Sequence, residues 1–367
     1  MKIKNLRGIA LTLGILQLTA CAEMESPTQV TPPAAARRPV AQPLESGDAG
    51  GSYFAERLSG DYRGYPAVER FIDGMVREQG FSREYLYGLL SQAQRKTWTI
   101  EYMNREKPTV RQKPGGWSRY RSKFLDERHI REGARFWAQH AATLARAQSE
   151  FGVSPEIIMG IIGVETLYGA NFGTHRVIDA LTTLAFDYPR RAAYFESELK
   201  DLLILSRKEM KDPSKPKGSF AGAMGFGQFM PSSFLKYAVD FNGDGATNLW
   251  DPEDAIGSIA HYFKSFGWQT GEPVVVRADA SLALDESIKT GFDSHYSAAD
   301  LRRLGVTPAQ PLRGEDFSLL KLSAQDGEVY RIGYPNFYVI TRYNHSTYYA
   351  MAVYELGQAV KARYQGR

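Results

Sequence analysis

The sequence predicts a mainly α-helical (α+β) protein with a small antiparallel β insertion near its C-terminal end. Three observations carry this reading. The helical period dominates residues 53–205, as in Ala67-Val68-Glu69-Arg70-Phe71-Ile72 and Gly133-Ala134-Arg135-Phe136-Trp137-Ala138. Between residues 272 and 334 short β-branched or apolar pieces appear instead, separated by Gly, Pro, Asp and Ser: Val274-Val275-Val276, Phe317-Ser318-Leu319-Leu320-Lys321-Leu322 and Val329-Tyr330-Arg331-Ile332. Helical character returns at residues 348–364. With 367 residues, 43% of them hydrophobic and 23% charged, the chain can bury a sizeable core, which excludes a disordered, collagenous or coiled-coil protein.

Charge and cysteine usage exclude further classes. Lys2, Lys4 and Arg7 supply three of the four net positive charges, so the rest of the chain is nearly neutral and carries no electrostatic footprint for nucleic acid. A single cysteine, Cys21, allows no internal disulfide and no multi-cysteine zinc site. The six histidines are scattered with no HExxH pattern, which argues against transition-metal chemistry. Aromatic residues reach 12%; most are expected to pack the core, and the surplus suits stacking on flat or ring-shaped ligands.

The three N-terminal cations precede an apolar run at residues 9–20, too short to span a bilayer and built like the core of a signal peptide. The run ends Leu18-Thr19-Ala20-Cys21, which resembles a bacterial lipobox, cut before a cysteine that then carries lipid. Several acyl chains give stable anchoring where one would be marginal. The alternative is an ordinary cleaved signal with an incidental cysteine. Ala22, where inner-membrane retention signals usually have Asp, points to the periplasmic face of the outer membrane. Residues 21–52 hold Pro27, Pro32, Pro33, Pro39, Pro43, Gly47, Gly50 and Gly51 and read as a lipidated cysteine and flexible tether. The expected order is a signal peptide (1–20), the tether (21–52), a helical region (53–270), a small β domain (271–334) and a C-terminal segment returning to the core (335–367).

Within the helical region one acid stands out. Ser154-Pro155-Glu156 is a strong helix start, with Ser at the N-cap and Pro at the first helical position. The helix then runs Ile157-Ile158-Met159-Gly160-Ile161-Ile162-Gly163-Val164-Glu165-Thr166-Leu167-Tyr168, and Gly169 is placed to end it. Positions 158, 161, 162 and 165 share one face, so Glu165 continues a line of isoleucines. Burial there favours the neutral acid and raises its pKa, the property a general acid needs at neutral pH. Gly160 and Gly163 leave room for another chain or a ligand to approach. A salt bridge or a cap is the plainer reading of a glutamate at a helix end.

Longer motifs favour the chemical reading. Gly163-Val164-Glu165-Thr166 with Tyr168-Gly169 resembles the catalytic signature of family 3 lytic transglycosylases. Gly218-Ser219-Phe220-Ala221-Gly222-Ala223-Met224-Gly225-Phe226-Gly227-Gln228-Phe229-Met230-Pro231-Ser232-Ser233 resembles their second signature. Asp187-Tyr188-Pro189-Arg190-Arg191 and Arg342-Tyr343-Asn344-His345-Ser346 also match, and the likeness runs from about residue 55 to the end. The resemblance implies a lysozyme-like helical core with an additional helical domain, acting as a monomer on peptidoglycan glycan strands. It implies cleavage of the β-1,4 bond between N-acetylmuramic acid and N-acetylglucosamine without water, leaving a 1,6-anhydro end. Most glycosidases need two carboxylates; this family works with one, so Glu165 is expected to act as acid and then base. The resemblance further assigns substrate contacts to Ser219, Gln228, Tyr120, Tyr262, Tyr343, Asn344 and Tyr349. Arg190 and Arg191 are candidates for meeting a glycan or peptide carboxylate, with a surface ion pair as the alternative. In their own right, Gly218, Gly222, Gly225 and Gly227 are expected to keep Cβ atoms clear where a sugar chain passes the backbone.

A metal loop is also legible. Asp240-Phe241-Asn242-Gly243-Asp244-Gly245-Ala246 places oxygen side chains at positions 1, 3 and 5 and Gly at position 6, the first half of an EF-hand. Position 12 is Asp251 rather than Glu, and Glu253 and Asp254 follow. The family carries an extended loop of this kind (240–254 here), which implies Asp240, Asn242, Asp244, the carbonyl of Ala246 and Asp254 as ligands for structural Ca2+, with Na+ as a stand-in in vitro. An Asx/Gly turn without metal is the alternative. No organic cofactor is expected. Two rival functions remain open: a hydrolytic muramidase, which needs a second acid such as Asp179 or Asp187, and a non-catalytic glycan-binding lipoprotein.

Overall fold

A computed structural model of the chain describes residues 47–105, 114–280 and 284–366. The apolar N-terminal run, Cys21 and most of the proline-rich segment lie outside the described residues. The helices before the acid are α1 (Pro66–Gln79), α2 (Arg83–Leu90), α3 (Thr97–Arg105), α4 (Gly116–Arg121), α5 (Glu127–Gln139) and α6 (Ala141–Phe151). The central helix α7 (Pro155–Thr166) is followed by β1 (His175–Arg176), α8 (Val177–Asp187), α9 (Ala192–Lys208), β2 (Lys217–Gly218), α10 (Pro231–Tyr237) and α11 (Pro252–Ser265). The β insertion comprises β3 (Val275–Ala280), α12 (Ala298–Arg303), β4 (Val306–Pro308), β5 (Ser318–Ala324) and β6 (Gly327–Gly333). The chain closes with α13 (Pro335–Thr341) and α14 (Thr347–Tyr364). The fold class is the expected one, helix-rich with small antiparallel sheets.

The strands of the insertion form one antiparallel sheet in the order β4-β3-β6-β5. Alternation sends Val276, Ala278, Leu319, Tyr330 and Ile332 into a small core of their own beneath α12. The other face turns towards the helices, with Leu320 and Leu322 joining the main core. The outer strand β5 packs on α4.

α7 is apolar nearly all the way round, and every residue from Ile157 to Gly163 is buried. Its five large aliphatic side chains in that span each contribute about 1.5–3 kcal/mol by leaving water. Pro155 opens the helix as expected, whereas the Ser154 hydroxyl makes no cap bond. Glu156 in the first turn instead pairs with Lys361 near the end of α14, at 2.9 Å.

The room left by the glycines is taken by α14. A Cβ on Gly160 would lie 2.1 Å from the Val353 carbonyl oxygen, and one on Gly357 would lie 2.0 Å from that of Glu156. A Cβ on Gly163 would meet the Tyr168 hydroxyl at 2.4 Å and Leu356 at 2.6 Å. Small residues on both helices thus let α7 and α14 touch backbone to backbone, and the approach is by the chain itself.

The N-terminal edge differs from the composition-based reading. Residues 47–53 dock on the body. Asp48 accepts from the Ser82 amide (2.8 Å) and hydroxyl (2.5 Å), and the Gly50 amide donates to the Lys211 carbonyl (3.1 Å). The Tyr53 hydroxyl lies 2.7 Å from both Asp212 and Ser214. A glycine-rich run reads as flexible in sequence, but here the glycines allow close docking: a Cβ on Gly50 would lie 2.7 Å from the Met210 carbonyl oxygen.

Substituting Gly160→Ala forces α7 and α14 apart, so it is expected to cost about 1–3 kcal/mol by overpacking. Urea unfolding of the variant beside the parent measures this; unchanged stability would mean the two helices are not in close contact.

Candidate active site

Glu165 sits in the last turn of α7, where the helix ends abruptly. Leu167 (φ 50°) and Tyr168 (φ 55°) are both left-handed without being glycine, so the helix stops before Gly169 (φ 87°). Such backbone is costly for a side-chain-bearing residue and must be held by its surroundings. Thr166 supplies part of the hold. Its buried hydroxyl lies 3.0 Å from the Ile162 carbonyl and 3.3 Å from that of Phe226, and it accepts from the Gly169 amide at 3.2 Å. The Tyr168 ring lies against Phe136 at 5.8 Å, and its buried hydroxyl has no partner among the described residues. Gly169 is needed twice over, because a Cβ there would strike the Phe226 ring at 2.5 Å.

The carboxyl of Glu165 faces tyrosines. The Tyr349 hydroxyl donates to Oε1 at 2.5 Å, while Oε2 is buried and has no hydrogen-bond partner among the described residues. The residue as a whole keeps part of its surface open. Burial pushes the carboxyl up to about 8, against a smaller opposing effect from the Tyr349 hydrogen bond. No charged group contributes to that shift. Burial thus favours the protonated acid near neutral pH, with Oε2 unpaired among the described residues.

Tyr349 is fixed from both sides. It lies in the first turn of α14, where its amide donates to the Ser346 hydroxyl that caps the helix. Its ring stacks on Tyr343 (6.5 Å, 12°), and Tyr343 meets Tyr262 edge-on at 4.9 Å. The Tyr343 hydroxyl donates to the Gly227 carbonyl, and the Tyr262 hydroxyl donates to the Arg342 carbonyl at 2.6 Å. Tyr120 on α4 feels the Glu165 charge and is raised chiefly by burial. The structure thus brings Tyr120, Tyr343 and Tyr349 within reach of the Glu165 carboxyl, with Tyr262 behind Tyr343.

The 218–233 segment packs behind them. Gln228 takes a left-handed φ of 49° and donates from Nε2 to the carbonyls of Gly225 (2.9 Å) and Phe172 (3.3 Å). The Ser219 hydroxyl accepts from the Ala223 (3.0 Å) and Ala221 (3.3 Å) amides, which leaves its own proton to donate. The glycines here do not open the backbone to a sugar, contrary to the sequence reading. A Cβ on Gly218 would strike the Ala223 carbonyl (2.0 Å), on Gly222 the Leu181 side chain (2.5 Å), on Gly225 the Leu249 carbonyl (2.4 Å) and on Gly227 the Tyr343 hydroxyl (2.7 Å). They let the loop fold tightly on itself and on the tyrosines.

The remaining candidates lie apart or at the margin. Arg190 and Arg191 occupy a 3-10 turn (Pro189–Arg191) packed on α8 and α9. The Arg191 guanidinium lies over the Tyr194 ring at 4.2 Å, and Tyr194 in turn falls within the electrostatic reach of Tyr262. Asn344 follows Tyr343, and its carbonyl accepts from the Ser346 amide at 2.7 Å. The two acids of the hydrolytic alternative are engaged elsewhere. Asp179 is 1% exposed, accepts from the Gln94 amide at 2.9 Å and lies 3.3 Å from Lys96. Asp187 pairs with Arg95 at 2.9 Å. No sequence signal points to Tyr194 or Phe172, and Phe136 and Phe226 fall within quoted segments without a role read for their rings, which pack with Tyr168 at the end of α7.

Within residues 240–254 the two candidate closing acids, Asp251 and Asp254, are placed differently. Asp251 caps α11, accepting from the amides of Glu253 (2.8 Å) and Asp254 (3.3 Å). Asp254, fully buried, reaches back to accept from the amides of Phe241 (2.7 Å), Asn242 (3.1 Å) and Asn248 (2.8 Å). Asp240 accepts from Gly243 (2.8 Å), Asp244 (3.2 Å) and Gly245 (2.8 Å). Asn242 and Asp244 bond each other and the turn, and Gly243 (φ 79°) and Gly245 (φ 90°) supply the bends. The all-oxygen donor set has the chemistry of a Ca2+ site, and each carboxylate keeps lone pairs beyond its amide bonds. Among the described residues, however, no three acids, histidines or cysteines are gathered closely enough to form a metal cluster.

A helix-rich core that carries one buried carboxyl, raised in pKa and bonded to a tyrosine, has the chemistry of a general acid. Residues 64–358 match the family described as the transglycosylase SLT domain, and the chain belongs to that family. It is 46% identical over 355 residues to the membrane-bound lytic murein transglycosylase B of Escherichia coli (strain K12), with 94% of each chain covered. Two structures of the E. coli lytic transglycosylase Slt35 are each 49% identical, covering 84% of this chain and 97% of theirs. One is a complex with bulgecin A (TM-score 0.80) and the other a complex with calcium (TM-score 0.79). The chain is a lytic murein transglycosylase, an enzyme acting on peptidoglycan.

The Tyr349 bond yields a sign-definite expectation. Glu165 titrates above its unfolded value of 4.5, so its contribution to stability is present below pH 4.5 and is lost as pH rises towards about 8. Tyr349→Phe removes the bond that favours the carboxylate, so the loss should extend to higher pH. Urea unfolding across a pH series for both proteins checks this; a downward move of the window would mean Tyr349 does not stabilise the charged form.

Proposed function

We propose that Glu165 carries the chemistry alone, first as acid and then as base. The observation that supports this is its buried, unpartnered Oε2, held protonated by an apolar surround with no second carboxylate in its field. In the first step the Glu165 proton passes to the glycosidic oxygen, and the bond from that oxygen to C1 of N-acetylmuramic acid breaks. The acetamido oxygen of the same sugar stabilises C1. In the second step the Glu165 carboxylate takes the proton of the sugar's own 6-hydroxyl as O6 bonds to C1. No water is consumed, and a 1,6-anhydro end and a free N-acetylglucosamine hydroxyl result. An internal nucleophile benefits from high effective molarity, which removes the need for a second acid. The engagement of Asp179 and Asp187 elsewhere argues against a hydrolytic pair.

Around this centre the Tyr349 hydroxyl orients the carboxyl and steadies its charged form between the two steps. Tyr120, Tyr262, Tyr343 and Asn344 form the wall met by the sugars. The Ser219 hydroxyl proton and the Gln228 amide are suited to acetamido and hydroxyl groups. Arg190 and Arg191 stand farther out, suited to a carboxylate on the same strand. We also propose lipid attachment at Cys21 and a place on the periplasmic face of the outer membrane, supported by the lipobox-like sequence and the membrane-bound relative. Among the described residues no helix is long and apolar enough to cross a membrane. The loop at 240–254 is proposed to hold structural Ca2+ through Asp240, Asn242, Asp244, Ala246 and Asp254, supported by its donor chemistry and the calcium complex of a relative.

Three experiments test these readings. Mass spectrometry of digested sacculi should give products one water lighter than hydrolytic ones, with activity falling as pH rises through about 8. Glu165→Gln should bind sacculi and release nothing; retained cleavage would remove Glu165 from the mechanism. For the loop, Ca2+ should raise the melting temperature of the parent and leave Asp254→Asn unmoved; equal responses would place the ion elsewhere.

A further inference from the structure

A cavity of about 580 Å³ lies on the far side of α14 and α4 from Glu165, closed by the β3–β6 face of the sheet. The two helices are shared walls. α14 turns Tyr349 to Glu165 and Met351, Tyr354 and Glu355 to the cavity. α4 turns Tyr120 towards Glu165 and Trp117 and Arg121 to the cavity.

The charges in this cavity are unusual. The strand register sets Arg277 directly opposite Arg331, and both line the cavity. Residues opposed across a ladder point to one face, and like charges there destabilise the sheet. Arg331 is half-buried, and its only hydrogen bond from the guanidinium among the described residues is to the Tyr330 carbonyl beside it, at 2.8 Å. Burial and the Arg277 charge both disfavour its charged form, yet a guanidinium does not give up its proton. Glu355 and Asp279 act in the opposite sense, but the Glu355 carboxylate is already bonded to Arg121 at 2.5 Å. Three guanidiniums therefore share two carboxylates, and the two on the sheet are forked donors aimed at one space. Trp117, Val329 and Met351 make the remaining wall apolar. Paired guanidiniums against an apolar wall suit a carboxylate on a short aliphatic chain.

We infer that this cavity is a second substrate site, in which Arg277 and Arg331 bind a carboxylate of the peptide carried by peptidoglycan. The inference rests on the proposed glycan chemistry for its substrate. It adds that the enzyme reads the peptide at a place separate from the carboxyl that cuts the sugar chain. Occupancy would cross-link α4, α14 and the sheet, the elements that hold Tyr120 and Tyr349.

The test uses the full-length protein in detergent, with sacculi and with the same sacculi stripped of peptide by an amidase. Arg277→Gln/Arg331→Gln is expected to lower kcat/KM about ten-fold on peptide-bearing sacculi, the scale of one lost charged hydrogen bond, and to leave the stripped substrate unchanged. An equal change on both substrates, or none on either, overturns the site. Parent protein inactive on both would instead count against the proposed function and leave this comparison distinguishable from it. Relief of like-charge repulsion should keep the variant's melting temperature at or above that of the parent, and the single Arg277→Gln provides a milder form of the same comparison. Calorimetry with the free stem peptide and Glu165→Gln should detect binding that the two arginine substitutions abolish. Heat from inorganic phosphate alone, or peptide binding indifferent to the substitutions, overturns the assignment.

Discussion

The close contact between α7 and α14 is the constraint on which the site depends. Gly160, Gly163 and Gly357 remove the atoms that would hold the two helices apart. The acid is on one helix and its hydrogen-bond donor on the other, so the separation of the two backbones fixes the distance between Glu165 and Tyr349. The Glu156–Lys361 pair adds a second link between the two helices, near the start of α7. Glycine inside a helix costs about 1 kcal/mol relative to alanine. That cost is offset here by the packing it permits.

From this contact the chemistry of the carboxyl follows. A glutamate carried on a buried helix cannot reach bulk water with both oxygens, and the neighbours that α14 and the loop after α13 bring to it are phenols rather than cations. Phenols can donate one hydrogen bond without supplying a charge, so the acid stays neutral near pH 7 and can still be steadied once it ionises. A salt bridge at the same position would have produced an ionised and inert carboxylate. The difference between a structural and a reactive glutamate lies in which residue type α14 presents in its first turn.

Much of this was legible in the sequence. The Ser154-Pro155 start, the line from Ile158 to Glu165 and the strand pieces at 274–276, 317–322 and 329–332 follow from local pattern, which one stretch of chain carries by itself. The two signatures carried the family. What sequence left unread depends on partners distant in the chain. Leu167 and Tyr168 end α7 in backbone that glycine would normally occupy, held by Thr166 and the Phe136 ring. The glycines of the 218–233 segment looked like space for a ligand because nothing in the sequence says that Leu181, Leu249 and Tyr343 fill it. The opposition of Arg277 and Arg331 exists only once β3 and β6 are in register, 54 positions apart in a chain whose local pattern at each is an ordinary strand.

Under the proposed lipid attachment at Cys21, the docking of residues 47–53 would have a mechanical consequence. Residues 47–53 are bonded to the body at Ser82, Tyr85, Lys211 and Asp212, on the α2 side and just beyond α9. Neither α7 nor α14 takes part in that attachment. A pull on that anchor would then load the α2 side and the turn beyond α9, and not the two helices that carry Glu165 and Tyr349.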